Sequence, residues 1–202
     1  MSNTIEATVG AAPVNAFTQD ELGWSPWLDP LPETALTERH RAGLVDTSRA
    51  KSPYFMLLAH DPEVLEARTR ADKDIFYNPE GGLPRAEREL TATATSRHNG
   101  CIFCASVHSR FASSHSKRRE DVQRLLDEGV GADLDERWNA VTAAAVALTE
   151  TPAAFGEAEI ARLRSAGFDD FDIADIVSAS AFFNWANRLM LSLGEPVPPR
   201  AA

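Results

Sequence analysis

The sequence predicts an all-α protein, a compact multi-helix bundle, and three observations carry this prediction. From Pro32 onward, apolar residues recur at helical spacing over most of the chain. The alternation of apolar and polar residues that is typical of strands is almost absent. Proline, glycine and asparagine separate one helical stretch from the next. We therefore do not expect β-strands.

The first part of the chain predicts an arm followed by three helices. Residues 1–32 contain several prolines and little periodicity, which is typical of an irregular N-terminal arm. Its two tryptophans, Trp24 and Trp27, indicate that it packs on its own core or on a neighbouring subunit. The three predicted helices then run over residues 34–46, 52–58 and 61–77. The third starts with Asp61 and Pro62, a favourable N-cap followed by a proline in the first helical position.

The rest of the chain predicts six more helices after the break at residues 78–82. They cover residues 84–98, 101–116, 119–129, 135–149, 156–167 and 169–193. Asn99 and Gly100 end the first of these. The last has a broad apolar face and is expected to be a core helix. We expect a single helical domain over residues 33–195 and a C-terminal tail over 196–202.

Composition restricts the possible partners. The net charge of −10 argues against a nucleic-acid partner, because binding phosphate requires a basic surface. Residues 1–12 lack the pattern of a signal peptide, and no stretch approaches the ~20 apolar residues that span a bilayer. We therefore expect a cytoplasmic protein with no membrane partner.

In a reducing compartment, a cysteine pair points to catalysis or metal binding rather than to a structural disulfide.

The only two cysteines of the chain, Cys101 and Cys104, lie within one helical turn, and His108 follows four residues later. On a helix that turns about 100° per residue, all three side chains share one face. Cys101 falls in the first turn, where the helix dipole favours a thiolate. His108 can take or supply the proton that makes a thiol reactive near neutral pH.

A carboxylate is expected to complete this group. The short connection at residues 99–100 predicts that the helices on either side form an antiparallel hairpin. In such a hairpin, residues at similar distances before and after residue 99 lie opposite each other. Glu89 is therefore expected next to His108. We predict a relay from Glu89 to His108 to Cys104, with Cys101 as the second thiol.

The spacing Glu89, Cys101, Cys104 and His108, or E-x11-C-x2-C-x3-H, resembles that of the alkylhydroperoxidase AhpD family in the carboxymuconolactone decarboxylase superfamily. Residues 83–90 resemble the family's helix before this motif, and residues 167–194 resemble a later helix of its longer, peroxidase-related members. The likeness covers roughly residues 35–195.

The resemblance implies an AhpD-like helical fold and a thiol peroxidase that needs no cofactor. Its substrate would be a hydroperoxide, its reductant an external dithiol, and its assembly a homo-oligomer such as a dimer, trimer or hexamer. By analogy, Cys104 is the peroxidatic thiol and Cys101 the resolving one, and Glu89 and His108 occupy the family's proton-relay positions. The sequence departs at Phe103, where well-studied members have a histidine.

Four other interpretations remain open. Cys101, Cys104 and His108, with Glu89 or His98, could bind zinc. The chain could be a lyase like the namesake of the superfamily, although that chemistry does not require a cysteine pair. It could be a helical redox sensor without turnover. The two cysteines could also be buried structural residues.

Overall fold

The computed structural model describes residues 14–80 and 82–199, and within them the fold is almost entirely helical, as predicted. The helices are α1 (Glu38–Leu44), α2 (Pro53–Leu58), α3 (Pro62–Tyr77), α4 (Arg85–His98), α5 (Ile102–Ser116), α6 (Arg119–Glu128), α7 (Glu136–Thr149), α8 (Glu157–Ser165) and α9 (Asp170–Leu193). Two strands, β1 (Gly23–Pro26) and β2 (Gly194–Val197), and two 3₁₀ turns, Glu33–Ala35 and Thr47–Lys51, complete the described elements. None of these helices is both long and apolar enough to cross a bilayer.

Helix starts follow the capping residues in the sequence. The side chains of Asp61, Asp135 and Asp169 each accept hydrogen bonds from backbone N–H groups in the first turns of α3, α7 and α9. The predicted helix over 34–46 is shorter in the structure. Thr37 and His40 form a reciprocal capping box that fixes the start of α1 at residue 38.

The prediction that the chain lacks strands was wrong at two places. β1 lies inside the predicted irregular arm and pairs antiparallel with β2, with Trp24 opposite Pro196. The pairing depends on Gly194, because a Cβ there would lie 2.3 Å from both the Trp24 ring and the carbonyl oxygen of Ser25. A four-residue pairing between distant segments leaves no alternating pattern in either sequence.

The terminal parts of the predicted arm and tail, residues 1–13 and 200–202, lie outside the described residues, as does Gly81. The division into an arm, one helical domain and a tail stays a prediction.

Helix α4 lies at the centre of the bundle and packs against α5, α7 and α9. Its middle alternates alanine and threonine, and these small side chains let the neighbouring helices approach closely. The hydroxyls of Thr91 and Thr93 donate to backbone carbonyls one turn earlier, so these buried polar groups are satisfied. Leu90 and Ala94 belong to one hydrophobic cluster, whereas Ala92 belongs to a second that also contains both cysteines.

Candidate active site

The thiol pair lies where α4 turns into α5. Gly100 adopts a positive φ of 79°, and the Cys101 N–H donates to the carbonyl oxygen of Ser96 at 2.9 Å. Cys101 is the N-cap of α5, with φ −84° and ψ 88°, so it precedes the helix instead of forming its first turn. Its side chain therefore does not follow the helical face shared by Cys104 and His108.

The two thiols border different cavities. Cys104 and His108 both line the larger one, of about 320 Å³. Cys101 lines a smaller one, of about 120 Å³, together with Trp24. Phe103 lines both cavities and so forms part of the wall between them.

Both thiols are free and buried, and a hydrogen bond links their side chains. A hydrogen bond from the Cys104 side chain is the main cause that lowers the pKa of Cys101; burial opposes it, and the Cys104 backbone N–H and the Asn187 amide assist it. The same hydrogen bond, together with burial, raises the pKa of Cys104 well above its usual range. When one of the two thiols ionises, the negative charge therefore lies more readily on Cys101 than on Cys104.

Asn187 of α9 contacts both cysteines through its polar side chain, and it was not predicted from the sequence as a site residue. It is fully buried, donates to the Ser96 hydroxyl at 3.0 Å and accepts from the Asn99 amide at 3.1 Å. Its side chain also helps to lower the pKa of both cysteines. The amide thus ties α9 to the hairpin that carries the thiols.

The predicted contact between Glu89 and His108 is present. The fully buried Glu89 places Oε2 2.5 Å from His108 Nδ1, and its Oε1 accepts from Arg85 at 2.5 and 2.6 Å. Because a carboxylate only accepts hydrogen bonds, Nδ1 carries the hydrogen in this contact. Nε2 is then the ring nitrogen left to exchange a proton. The imidazole packs edge-on against Phe183, with ring centroids 4.1 Å apart, which restricts its rotation.

The larger cavity has an apolar wall and a charged one. The apolar wall is formed by Phe55, Phe76, Phe103, Phe111, Phe183 and Met190. The polar side chains that line it are Arg49, Ser52, Tyr54, Arg68, Asp72, Tyr77, Arg85, Glu89 and His108. No motif in the sequence identifies Arg68 or Tyr54 as a site residue, because their importance depends on their burial.

The described residues do not provide the set of ligands that the zinc interpretation requires. His98, the suggested fourth ligand, places Nε2 3.3 Å from the Glu150 carboxylate. Within residues 14–80 and 82–199, no three histidine, cysteine or acidic side chains are grouped closely enough to hold a metal ion.

Comparison with known proteins agrees with this architecture. Residues 62–148 match the sequence model of the Carboxymuconolactone decarboxylase family. This range contains α3 to α6, nearly all of α7, and the four residues of the predicted relay. The family match and the helical fold together support placing the chain in the AhpD-like carboxymuconolactone decarboxylase superfamily. No curated protein sequence matches it.

Solved structures extend the likeness of this AhpD-like chain beyond the matched segment. The alkylhydroperoxidase AhpD core of an uncharacterized peroxidase-related protein from Ralstonia eutropha JMP134 is 28% identical, with a TM-score of 0.68 over 81% of this chain and 88% of that one. An uncharacterized peroxidase-related protein from Silicibacter sp. TM1040 is 29% identical, with a TM-score of 0.66 over 85% and 88%. The debrominase Bmp8 is 18% identical, with a TM-score of 0.66 over 83% and 90%, and shares the fold.

Proposed function

We propose that the chain is a thiol peroxidase that reduces organic hydroperoxides through a disulfide cycle between Cys104 and Cys101. The observation that carries the proposal is the placement of Cys104 and His108 on one cavity, with the second thiol hydrogen-bonded to Cys104 behind the cavity wall. The match of residues 62–148 to the Carboxymuconolactone decarboxylase family and the likeness to two peroxidase-related proteins also support it.

The first step oxidises Cys104. His108 Nε2 accepts the thiol proton, and Glu89 stabilises the resulting imidazolium through Nδ1. The Cys104 thiolate attacks the distal peroxide oxygen, so an S–O bond forms and the O–O bond breaks. The alkoxide that leaves takes the proton from His108 and departs as an alcohol. Cys104 is then a sulfenic acid.

The second step uses the lower pKa of Cys101. A thiolate attacks a sulfenic acid more readily than a thiol does. Cys101 displaces the sulfenic oxygen as hydroxide, which takes up a proton to form water, and an S–S bond joins the two cysteines. An external dithiol reduces this bond by exchange and is itself oxidised to a disulfide.

The resting preference for a thiolate on Cys101 is compatible with attack by Cys104. Cys104 becomes nucleophilic by passing its proton to His108 in the first step, so Cys101 keeps the lower pKa on which the second step depends. The cavity wall then decides which sulfur meets the peroxide, and Cys104 is the one on the larger cavity. Phe103, which takes the place of a histidine, makes this wall more apolar and favours organic hydroperoxides.

The test is one equivalent of cumene hydroperoxide added to the reduced protein. We expect loss of both thiols, a Cys101–Cys104 bond by mass spectrometry, and sustained turnover when a dithiol is supplied. Cys101→Ser should accumulate a sulfenic acid at Cys104, whereas Cys104→Ser should consume no peroxide. His108→Gln should slow oxidation, and His115→Gln, which alters an exposed histidine on the same helix, should not.

Other outcomes would reject the proposal. Oxidation of the pair without turnover on a dithiol would indicate a redox sensor. Unchanged peroxide consumption by Cys104→Ser would place the chemistry elsewhere. The cytoplasmic location and the homo-oligomer stay predictions.

A further inference from the structure

Arg68 of α3 is a buried cation without a hydrogen-bond acceptor at two of its nitrogens. The residue is only 7% exposed, and its Nε and Nη1 have no partner among the described residues. Three aromatic rings surround it instead, with Cζ 5.6 Å from the Tyr54 centroid, 5.5 Å from Phe55 and 5.1 Å from Phe182. Aromatic faces stabilise a cation, but they do not satisfy its N–H donors in the way an anion does.

The other arginines of the cavity are paired with carboxylates. Arg85 contacts Glu89 at 2.5 Å, and Arg49 lies 4.0 Å from Asp72. Three arginines and two carboxylates line the cavity, so these five side chains together leave one positive charge. This positive cavity belongs to a chain with a net charge of −10, so the local charge is opposite to that of the whole protein.

A second unsatisfied donor lies beside the guanidinium. The Tyr54 hydroxyl is buried, lines the same cavity and has no hydrogen-bond acceptor in the described part of the chain, although Arg68 lies close enough to act on its pKa. Burial raises the pKa of Tyr54 to about 12, so at neutral pH the phenol keeps its proton and can donate it. Two adjacent donors, one of them charged, present the complement of an anionic acceptor.

We propose that Arg68 and Tyr54 form a subsite for a carboxylate, so that the preferred hydroperoxide carries a carboxylate at one end. This inference rests on the proposed peroxidase function. The substrate's apolar body would lie against Phe55, Phe103 and Met190, and its peroxide group would reach Cys104. A carboxylate matches the single unpaired charge, and the cavity lies at the lower end of the roughly 300–1,000 Å³ that is usual for small-molecule sites.

Binding is tested separately from turnover. The probes are 4-isopropylbenzoate, which has no peroxide, and the uncharged 4-isopropylbenzamide, each titrated calorimetrically into the reduced protein. We expect the carboxylate to bind roughly tenfold to a hundredfold more tightly than the amide, as a charge-assisted hydrogen bond in a buried site allows. Equal binding, or no binding of either probe, would overturn the inference.

Turnover is tested with cumene hydroperoxide that carries a para carboxylate and with the methyl ester of the same compound. We expect kcat/KM for the acid to exceed that for the ester by a similar factor. Peroxidase activity without this preference would contradict the carboxylate subsite but not the peroxidase proposal. Tight binding of 4-isopropylbenzoate without any peroxide turnover would contradict the peroxidase proposal but not the carboxylate subsite.

Variants at position 68 distinguish a carboxylate subsite from a charge that acts on the Cys104 thiolate. Arg68→Met should lower kcat/KM for the acid more than for the ester, and so remove the preference for the acid. An equal loss on acid and ester would mean that Arg68 acts on the thiolate instead. Arg68→Lys should keep part of the preference. Arg70→Met on the same helix, at a side chain that is 66% exposed, is the matched control and should leave both activities unchanged.

Discussion

Replacement of Glu89 by glutamine removes one charge from the centre of the site. The carboxylate is fully buried between Arg85 and His108, at 2.5 Å from each. Glutamine keeps the shape but exchanges one acceptor oxygen for an NH₂ donor. Whichever way the amide turns, this donor faces an N–H group of Arg85 or of His108. In the second case the imidazole must change tautomer, and Nε2 then carries the hydrogen and no longer accepts one.

The expected cost follows from the burial of the three groups. Breaking a buried ion pair by removing one partner costs about 3–5 kcal/mol in the free energy of unfolding. The side chains of Arg85 and His108 keep 20% and 13% of their exposure, so water relieves part of this cost and we expect about 3 kcal/mol. Loss of a positioned general base slows proton transfer by about 10²–10⁴-fold, and we expect about a hundredfold slower oxidation of Cys104.

Two assays measure these effects. Urea denaturation gives the free energy of unfolding, and stopped-flow thiol loss with cumene hydroperoxide gives the oxidation rate. Glu63→Gln removes a carboxylate from an exposed arginine pair and should change neither value appreciably. A folded Glu89→Gln variant that is oxidised at the wild-type rate would refute the relay. If that variant does not fold, His108→Gln tests the same step, because it leaves the contact between Arg85 and Glu89 intact.

Three further predictions concern stability. Burial raises the pKa of Tyr54 from 10.0 to about 12, so the unfolded chain loses the phenol proton first as pH rises. We therefore expect the free energy of unfolding to fall by about 2 kcal/mol between pH 10 and pH 12. Urea titrations at several pH values should show that Tyr54→Phe loses this dependence. Gly194→Ala should lower the free energy of unfolding by about 1–3 kcal/mol in thermal unfolding and should alter Trp24 fluorescence. Gly131→Ala is the control and should change neither value, because no atom lies within 4 Å of the added Cβ. Asp61→Ala should cost about 1 kcal/mol in urea denaturation, because it removes the N-cap of α3.

The helical framework could be predicted because its signals are local. Asp61, Asp135 and Asp169 mark helix starts in the sequence, and each of them caps a helix in the structure. The contact between Glu89 and His108 was predictable for a related reason. A very short connection fixes how two helices align. Counting residues on either side of the turn is then enough to identify the pair that lies opposite each other.

The parts that could not be predicted depend on long-range packing. In the sequence, Arg68 and Arg70 are two similar arginines on one helix, and only the folded structure shows that Arg68 is buried among aromatic rings and Arg70 is exposed. The pairing of β1 with β2 joins segments at opposite ends of the described chain. The position of Cys101 as the N-cap, one residue before α5, decides which cavity its thiol borders.

The pairing of β1 with β2 has a consequence for biosynthesis. Trp24, carried by β1, and Pro196, carried by β2, both help to enclose the small cavity at Cys101. During translation β2 emerges only after all nine described helices, so this enclosure is the last local structure to form. Until then the Cys101 thiol of a nascent chain is open to solvent on that side. The fold therefore does not shield this thiol from oxidants during that interval.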